Sequence, residues 1–220
     1  MDKMTWPRRL KATGAGPMQA ARQHGKRLAL VAATLASLGA STVLAGGRID
    51  QQNPFEDHTA RFGQGIEMAG ASGQTFTAGT TGALDRVAVY LDPFQEEPLQ
   101  PATIFLEIYP TDGTGLPRTD GAPLGSGHAP TPDPSKPAGF VTIPLSHPAA
   151  VKKGKVYAIV LHADGEIALS LSWEGSAGPN LYPRGGEAMR ADADSPWQVF
   201  PQDDYFFKTF VTEPRKRKHR

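Results

Sequence analysis

Gln74-Thr75-Phe76-Thr77-Ala78-Gly79-Thr80-Thr81-Gly82-Ala83-Leu84-Asp85-Arg86-Val87-Ala88-Val89-Tyr90-Leu91 is the stretch whose reading decides the fold. It divides into a short strand, a glycine-punctuated turn and a second strand. In the second strand Val87, Val89 and Leu91 alternate with Arg86, Ala88 and Tyr90. That period of two is the signature of a strand with one face on a core.

Working outward, Arg61–Met68 and Ser72–Ala78 are Gly-bounded segments, and further strand candidates recur at short spacing: 102–109, 139–145, 155–163, 167–173, 197–200 and 204–212. Ala102–Tyr109 and Lys155–His162 mix β-branched and aromatic residues with near alternation. Tyr109–Pro117 and Ala129–Pro137 are proline-rich loops, because proline fixes φ and removes ladder donors. Arg48–Pro54 reads as an entry loop. Beyond residues 28–38 no segment carries a 3.6-residue apolar period of helical length. The expectation is an all-β fold, a single antiparallel β-sandwich over residues 46–213.

The chain has 220 residues, 24 Gly, 20 Pro and no cysteine, which suits many turns and excludes disulfide and thiol chemistry. Its formal charge of +1 conceals a segregation. Residues 1–45 carry seven Lys/Arg against Asp2, and Arg215–Arg220 adds five more cations. Residues 46–214 hold 11 Lys/Arg against 21 Asp/Glu, a net −10. An acidic body repels a phosphate backbone, so nucleic acid is not an expected partner.

Residues 28–38 form an apolar run of signal-peptide length, and Val43-Leu44-Ala45 supplies small residues for cleavage after Ala45. The run is broken by Thr34 and Ser37 and falls short of the ~20 apolar residues of a membrane span. Residues 1–45 are therefore expected to be a signal peptide with a long basic n-region, for which Met18 is an alternative start. Export to the periplasm or beyond follows. The basic tail Arg215–Arg220 suits either contact with an anionic surface or a solubilising end.

Asp50-Gln51, Gln74–Gly79, Gly82–Val87, Gly115–Pro117, Val151–Val160, Tyr182–Gly186 and Asp204–Val211 occur in an order that resembles a family of bacterial exported jelly-roll β-sandwich domains. These are choice-of-anchor-type surface domains with a carbohydrate-binding-module-like shape. The resemblance spans essentially the whole body. It implies a jelly roll and a non-catalytic module at the cell envelope, with no settled ligand.

The residues themselves offer little catalytic chemistry. Gly175-Ser176-Ala177-Gly178 is one residue short of a nucleophile elbow. His58, His128, His147 and His162 have no metal-ligand spacing, and His162, ending a strand, reads as structural. Acids cluster at Glu56-Asp57, Glu96-Glu97, Asp192/Asp194 and Asp203-Asp204. Paired acids would serve a glycosidase- or lyase-like jelly roll if two carboxyls stood about 5–9 Å apart across a bond. Calcium, a hard cation that takes carboxylate and loop-carbonyl oxygens, would fall to Asp50, Asp203 and Asp204. Trp173, Tyr182, Trp197 and Tyr205 are candidate ligand-binding residues, either stacking on sugar rings or plugging the ends of the core. The expectation is a non-enzymatic module used either for binding, with a glycan or cell-surface polymer as the partner, or for structure at the cell envelope.

Overall fold

The computed structural model describes residues 46–55, 61–66, 70–93, 102–164, 171–178 and 180–214. The expected signal peptide, the tail Arg215–Arg220, His58 and the acid pairs Glu56-Asp57 and Glu96-Glu97 lie outside the described residues. The described residues contain no helix and thirteen strands. In chain order these are β1 (Arg48–Asn53), β2 (Arg61–Gly65), β3 (Ala71–Thr77), β4 (Gly82–Pro93) and β5 (Thr103–Pro110). There follow β6 (Gly125–Pro130), β7 (Gly139–Val151), β8 (Val156–Ala163) and β9 (Leu171–Ala177). The last are β10 (Gly185–Arg190), β11 (Gln198–Phe200), β12 (Asp203–Tyr205) and β13 (Phe207–Thr212).

Every pairing is antiparallel, in the order β1-β13-β4-β7-β6-β5-β8-β3-β10-β11, with β9 beside the end of β4 and carrying β2 and β12. The sheet curls because β7 belongs to two neighbourhoods. Residues Gly139–Pro144 and Ala149–Val151 pair with β4, while Leu145 and His147 between them pair with β6. Pro144 and Pro148 offer no ladder donor where the strand changes partner, a position at which proline is tolerated. Side chains from both stretches of sheet share one buried core. Leu84, Val87, Val89, Leu91 and Phe207 meet Phe76, Ile104, Leu106, Ile108 and Ile159.

The deciding stretch forms β3, a turn and β4, as expected. One detail of its parity is instructive. Leu84 and Val87 are both fully buried in the same cluster although an odd number of positions apart. A regular strand would send one of them outward; a register shift between Leu84 and Arg86 puts both inside. The residue between, Asp85, accepts hydrogen bonds from Gly47 N–H (2.9 Å) and the Thr212 hydroxyl (2.6 Å), which fastens both chain ends of the domain.

Three differences from the sequence reading have physical causes. The expected entry loop is an edge strand, β1, paired only with β13 and burying the polar Gln51 and Asn53 rather than apolar side chains. The expected strand 204–212 is two strands that exchange partners at Phe206: β12 pairs with β9, and β13 with β1 and β4. Phe206 bonds to two of these neighbours, β9 and β4. Its N–H donates to the Glu174 carbonyl, and its own carbonyl accepts from Tyr90 N–H and the Trp173 indole. β6 and β10 were not expected as strands, because their glycines and alanines carry no strong alternation.

Candidate functional site

The four sequence-predicted aromatics do not form one platform. Trp173 and Tyr205 lie stacked in the core, ring centroids 4.2 Å apart and both fully buried. The Trp173 indole donates to the Phe206 carbonyl at 3.1 Å, and the Tyr205 hydroxyl to Glu187 Oε1 at 2.8 Å. Tyr182 meets Phe207 edge-on at 5.1 Å and donates its hydroxyl to Gln51 Oε1 at 2.8 Å. Each buried ring thus finds an acceptor for its polar tip, which is what makes burial of Trp and Tyr favourable. None of the three presents a free face to a sugar. Trp197 alone of the four is half-exposed.

The three aspartates read as calcium ligands hold separate pieces of backbone. Asp50 Oδ2 accepts from Gly79 N–H at 2.9 Å, and Asp203 Oδ1 from Gly178 N–H at 3.3 Å. Asp204 is fully buried; its two oxygens accept from Gln74 Nε2 (3.1 Å) and Tyr182 N–H (3.0 Å). Neighbours along a strand point to opposite faces, so Asp203 does not follow Asp204 inward. Among the described residues no group of three or more His, Asp or Glu side chains is placed to hold a metal ion.

Asp204 instead belongs to a buried polar tie between β12 and β3. Gln74 donates to the Asp204 carboxylate and accepts from Tyr205 N–H at 2.7 Å, while Asn53 Nδ2 donates to the Tyr205 carbonyl at 3.0 Å. Burial pushes the Asp204 carboxyl up from its ordinary value, against the hydrogen bonds it accepts. Burial likewise pushes Glu187 up to about 7, opposed by the Tyr205 hydroxyl and reinforced by the charges of Asp203 and Asp204.

A second apolar cluster lies on the opposite face of β3, β8 and β5: Ala71, Tyr109, Ala158 and Val160, with Trp197 packed against it. Alternation puts it there. Ile104, Leu106 and Ile108 point to the core, so Phe105, Glu107 and Tyr109 point away from it. The register sets Phe105 opposite His162, Glu107 opposite Val160, Gly73 between Val160 and Ala188, and Arg190 opposite Ala71. The centre of this face therefore carries only small side chains. A Cβ on Gly73 would lie 3.4 Å from the Trp197 ring, so the indole lies over the strand about one van der Waals contact above this position.

Around that floor stand the polar groups. The Tyr109 hydroxyl donates to Glu107 Oε2 at 2.9 Å, and His162 Nε2 lies 3.5 Å from the same oxygen. The His162 ring also stacks on Phe105 at 5.3 Å. The hydrogen bond to His162 holds the Glu107 carboxyl below its ordinary value, partly offset by burial. Thr119 accepts from the Trp197 indole (3.2 Å) and from Arg190 Nη1 (3.4 Å), while the Arg190 guanidinium lies 5.0 Å from the Trp197 ring centre. Glu107, Tyr109, Thr119, His162 and Arg190 line a cleft of about 120 Å³ that adjoins another of about 210 Å³ beside Gly65 and Met189; both are lined by Gly70, Ala71 and Arg190, and Trp197 stands beside them through its contacts with Arg190 and Thr119. Glu107 is the one acid among the described residues lining the smaller cleft.

Such a surface can stack on a ring, accept and donate hydrogen bonds, and offer one cation. Of its members, sequence reasoning singled out only Trp197 as a binding residue. Glu107 and Tyr109 were legible as the outward half of the 102–109 alternation. Arg190 and Thr119 carried no local signal, since long-range pairing and a loop bring them there. The sequence matches no family model and no curated protein.

Proposed function

We propose that the chain is an exported, non-catalytic β-sandwich module of jelly-roll type that binds a carbohydrate at the cell envelope through the cleft at Trp197. The observation that carries this reading is the cleft itself: a floor of small residues with polar groups converging on it from three strands and a loop, and the Trp197 indole packed beside it. Ligand sites generally combine apolar surface with a few placed polar groups. Strand-borne side chains hold that arrangement with little freedom, which limits the entropy lost on binding. The basic tail adds a second contact to an anionic surface in this reading.

A glycosidase- or lyase-like alternative needs two carboxyls flanking one bond. The presence of one acid, already engaged by Tyr109 and His162, favours binding over hydrolysis. A glycan array and polysaccharide pull-down with the full chain tests the proposal. Retention that persists in chelator and in a 1–214 truncation, and is lost in Trp197→Ala, is the expected result. Retention by the Trp197→Ala protein equal to wild type would overturn it. Release of reducing ends from a retained polymer would restore the enzyme reading.

A further inference from the structure

We propose that the folded body docks end-on against an anionic lipid bilayer, through the end at which Gly46 and Pro214 both stand. The contact is separate from the cleft and needs no glycan. Strand pairing gathers the residues of this end. Arg48 opens β1 opposite Val211, Ala83 lies opposite Thr212, and Gly82 opposite Val151. The turn 152–155 between β7 and β8 comes next and is tied to the turn between β3 and β4. Gly154 N–H donates to the Ala78 carbonyl (2.7 Å), Ala78 N–H to the Lys155 carbonyl (2.9 Å) and Lys153 N–H to the Thr81 hydroxyl (3.0 Å). Gly154, at φ 79°, takes the left-handed corner that closes the turn. Val156 then pairs with Thr77, whose hydroxyl donates to the Arg184 carbonyl at 2.8 Å. Arg48, Lys152, Lys153, Lys155 and Arg184 thus share one end on fixed backbone. All five are exposed, and none is in an ion pair among the described residues.

Charge placement favours a flat anionic surface. At this end Asp85 is paired with Arg86 (3.2 Å) and Asp120 with Arg118 (3.6 Å), so Asp50, Asp112 and Glu213 stand against the five cations. Asp92, Asp133, Asp164, Asp192 and Asp194 lie instead at or beyond the opposite strand ends, with Lys136. Strands of eight residues such as β5 and β8 separate the two ends by roughly 25 Å, at ~3.3 Å per residue. Screening over ~8 Å at physiological salt therefore lets a flat surface feel the basic end without the acidic one. From Gly46 and Pro214 the chain continues into its two basic portions, residues 1–45 and 215–220. Apolar exposure selects lipid over a polyanion. Ile49, Leu124 and Val156 are 51%, 41% and 37% exposed, three of the four exposed large hydrophobic side chains among the described residues. All three lie within two residues of a strand end on this side. A phosphate polymer gains nothing from them. A bilayer takes apolar side chains between its headgroups while lysines stay at the level of the phosphates.

The test is sedimentation of the full chain with vesicles of phosphatidylglycerol and phosphatidylethanolamine in equal parts, beside phosphatidylcholine vesicles and polyphosphate beads. It compares wild type with the combined Lys152→Gln, Lys153→Gln, Lys155→Gln protein, with Ile49→Ser plus Val156→Ser, and with the 1–214 truncation. Melting temperature serves as the folding control. The expected result is salt-sensitive binding to the anionic vesicles that survives in the truncation. It weakens roughly tenfold to a hundredfold in the triple glutamine protein, as loss of three cations near an anionic surface requires. Amine acetylation read by mass spectrometry should find Lys152, Lys153 and Lys155 protected by vesicles and Lys136 unprotected. The two serine substitutions should weaken vesicle binding and leave polyphosphate binding unchanged. Full vesicle binding by the triple glutamine protein, or complete loss in the truncation, puts the contact outside the folded end and overturns the proposal. Equal protection of Lys136, or equal binding to phosphatidylcholine, does the same. Vesicle binding that ignores the serine substitutions makes this end a polyanion site and overturns the lipid assignment.

Discussion

The molecule contains two aromatic assemblies of similar composition and opposite exposure. Between the two stretches of sheet, Trp173, Tyr205 and Tyr182 are buried and each polar tip meets an interior acceptor. On the far side of β3, Tyr109, Arg190 and Glu107 line a cleft, and Trp197 packs beside them. Residue type does not distinguish the two. Strand parity does, together with what each ring finds at its polar end. Tyr205 alternates inward beside Asp204 and reaches Glu187, whereas Tyr109 alternates outward and reaches Glu107 at the rim.

The largest effect expected from this contrast is in the interior. Trp173→Ala removes a fully buried indole and its stacking partner, and should destabilise by about 3–5 kcal/mol. Urea denaturation would measure it. A loss no greater than that of Trp197→Ala would erase the distinction between the assemblies.

Next comes the polar tie. Asp204→Ala strands Tyr182 N–H inside the protein and leaves Gln74 Nε2 with only the Thr75 carbonyl, for an expected loss of about 2–3 kcal/mol. A milder loss in Asp204→Asn, which keeps one acceptor, would confirm that hydrogen bonding carries the effect.

The third effect depends on pH. Burial raises the Glu187 carboxyl to about 7 in the folded chain, from an ordinary 4.5. Between those values the folded state holds a proton that the unfolded state has released. The Glu187 contribution to stability is therefore complete below about pH 4.5 and is lost as pH rises through about 7, at up to about 1.4 kcal/mol per pH unit. Asp204 acts in the same direction, and Glu107, whose carboxyl is held low, in the opposite one. Glu187→Gln should flatten the decline relative to wild type; an unchanged difference across that window would remove Glu187 from the account.

Smallest is the stability effect at the cleft. Trp197→Ala should cost about 1 kcal/mol, because the ring is half-exposed and its cation–π contact with Arg190 is partly solvated. Its consequence should be lost binding rather than lost folding.

Much of this arrangement was legible beforehand. The alternation of Val87, Val89 and Leu91 announced β4, and that of Ile104, Leu106 and Ile108 announced which half of β5 faces inward. What could not be read was non-local. The odd spacing of Leu84 and Val87 needs a bulge at Asp85 that shows only in the pairing with β7 and β13. β1 is a strand because β13 pairs with it, although its buried residues are amides that read as a loop. The cleft assembles Arg190, Thr119 and Glu107 from positions far apart in sequence, and no spacing rule joins them. Of the aromatic residues near glycine and proline that were read as candidate binding residues, Trp197 is the one that stands half-exposed. At Trp173 and Tyr205 the decisive fact was a buried acceptor on another strand.

The two assemblies can be read separately by tryptophan fluorescence in a Trp6→Phe background, since of the chain's three tryptophans one assembly contains Trp173 and the other Trp197. Trp173→Phe and Trp197→Phe would each be titrated with a glycan that the wild type retains, following emission and acrylamide quenching. The predicted result is a saturable change, with protection from quencher, in Trp173→Phe and none in Trp197→Phe. A response that survives in Trp197→Phe would contradict a binding site on the far side of β3.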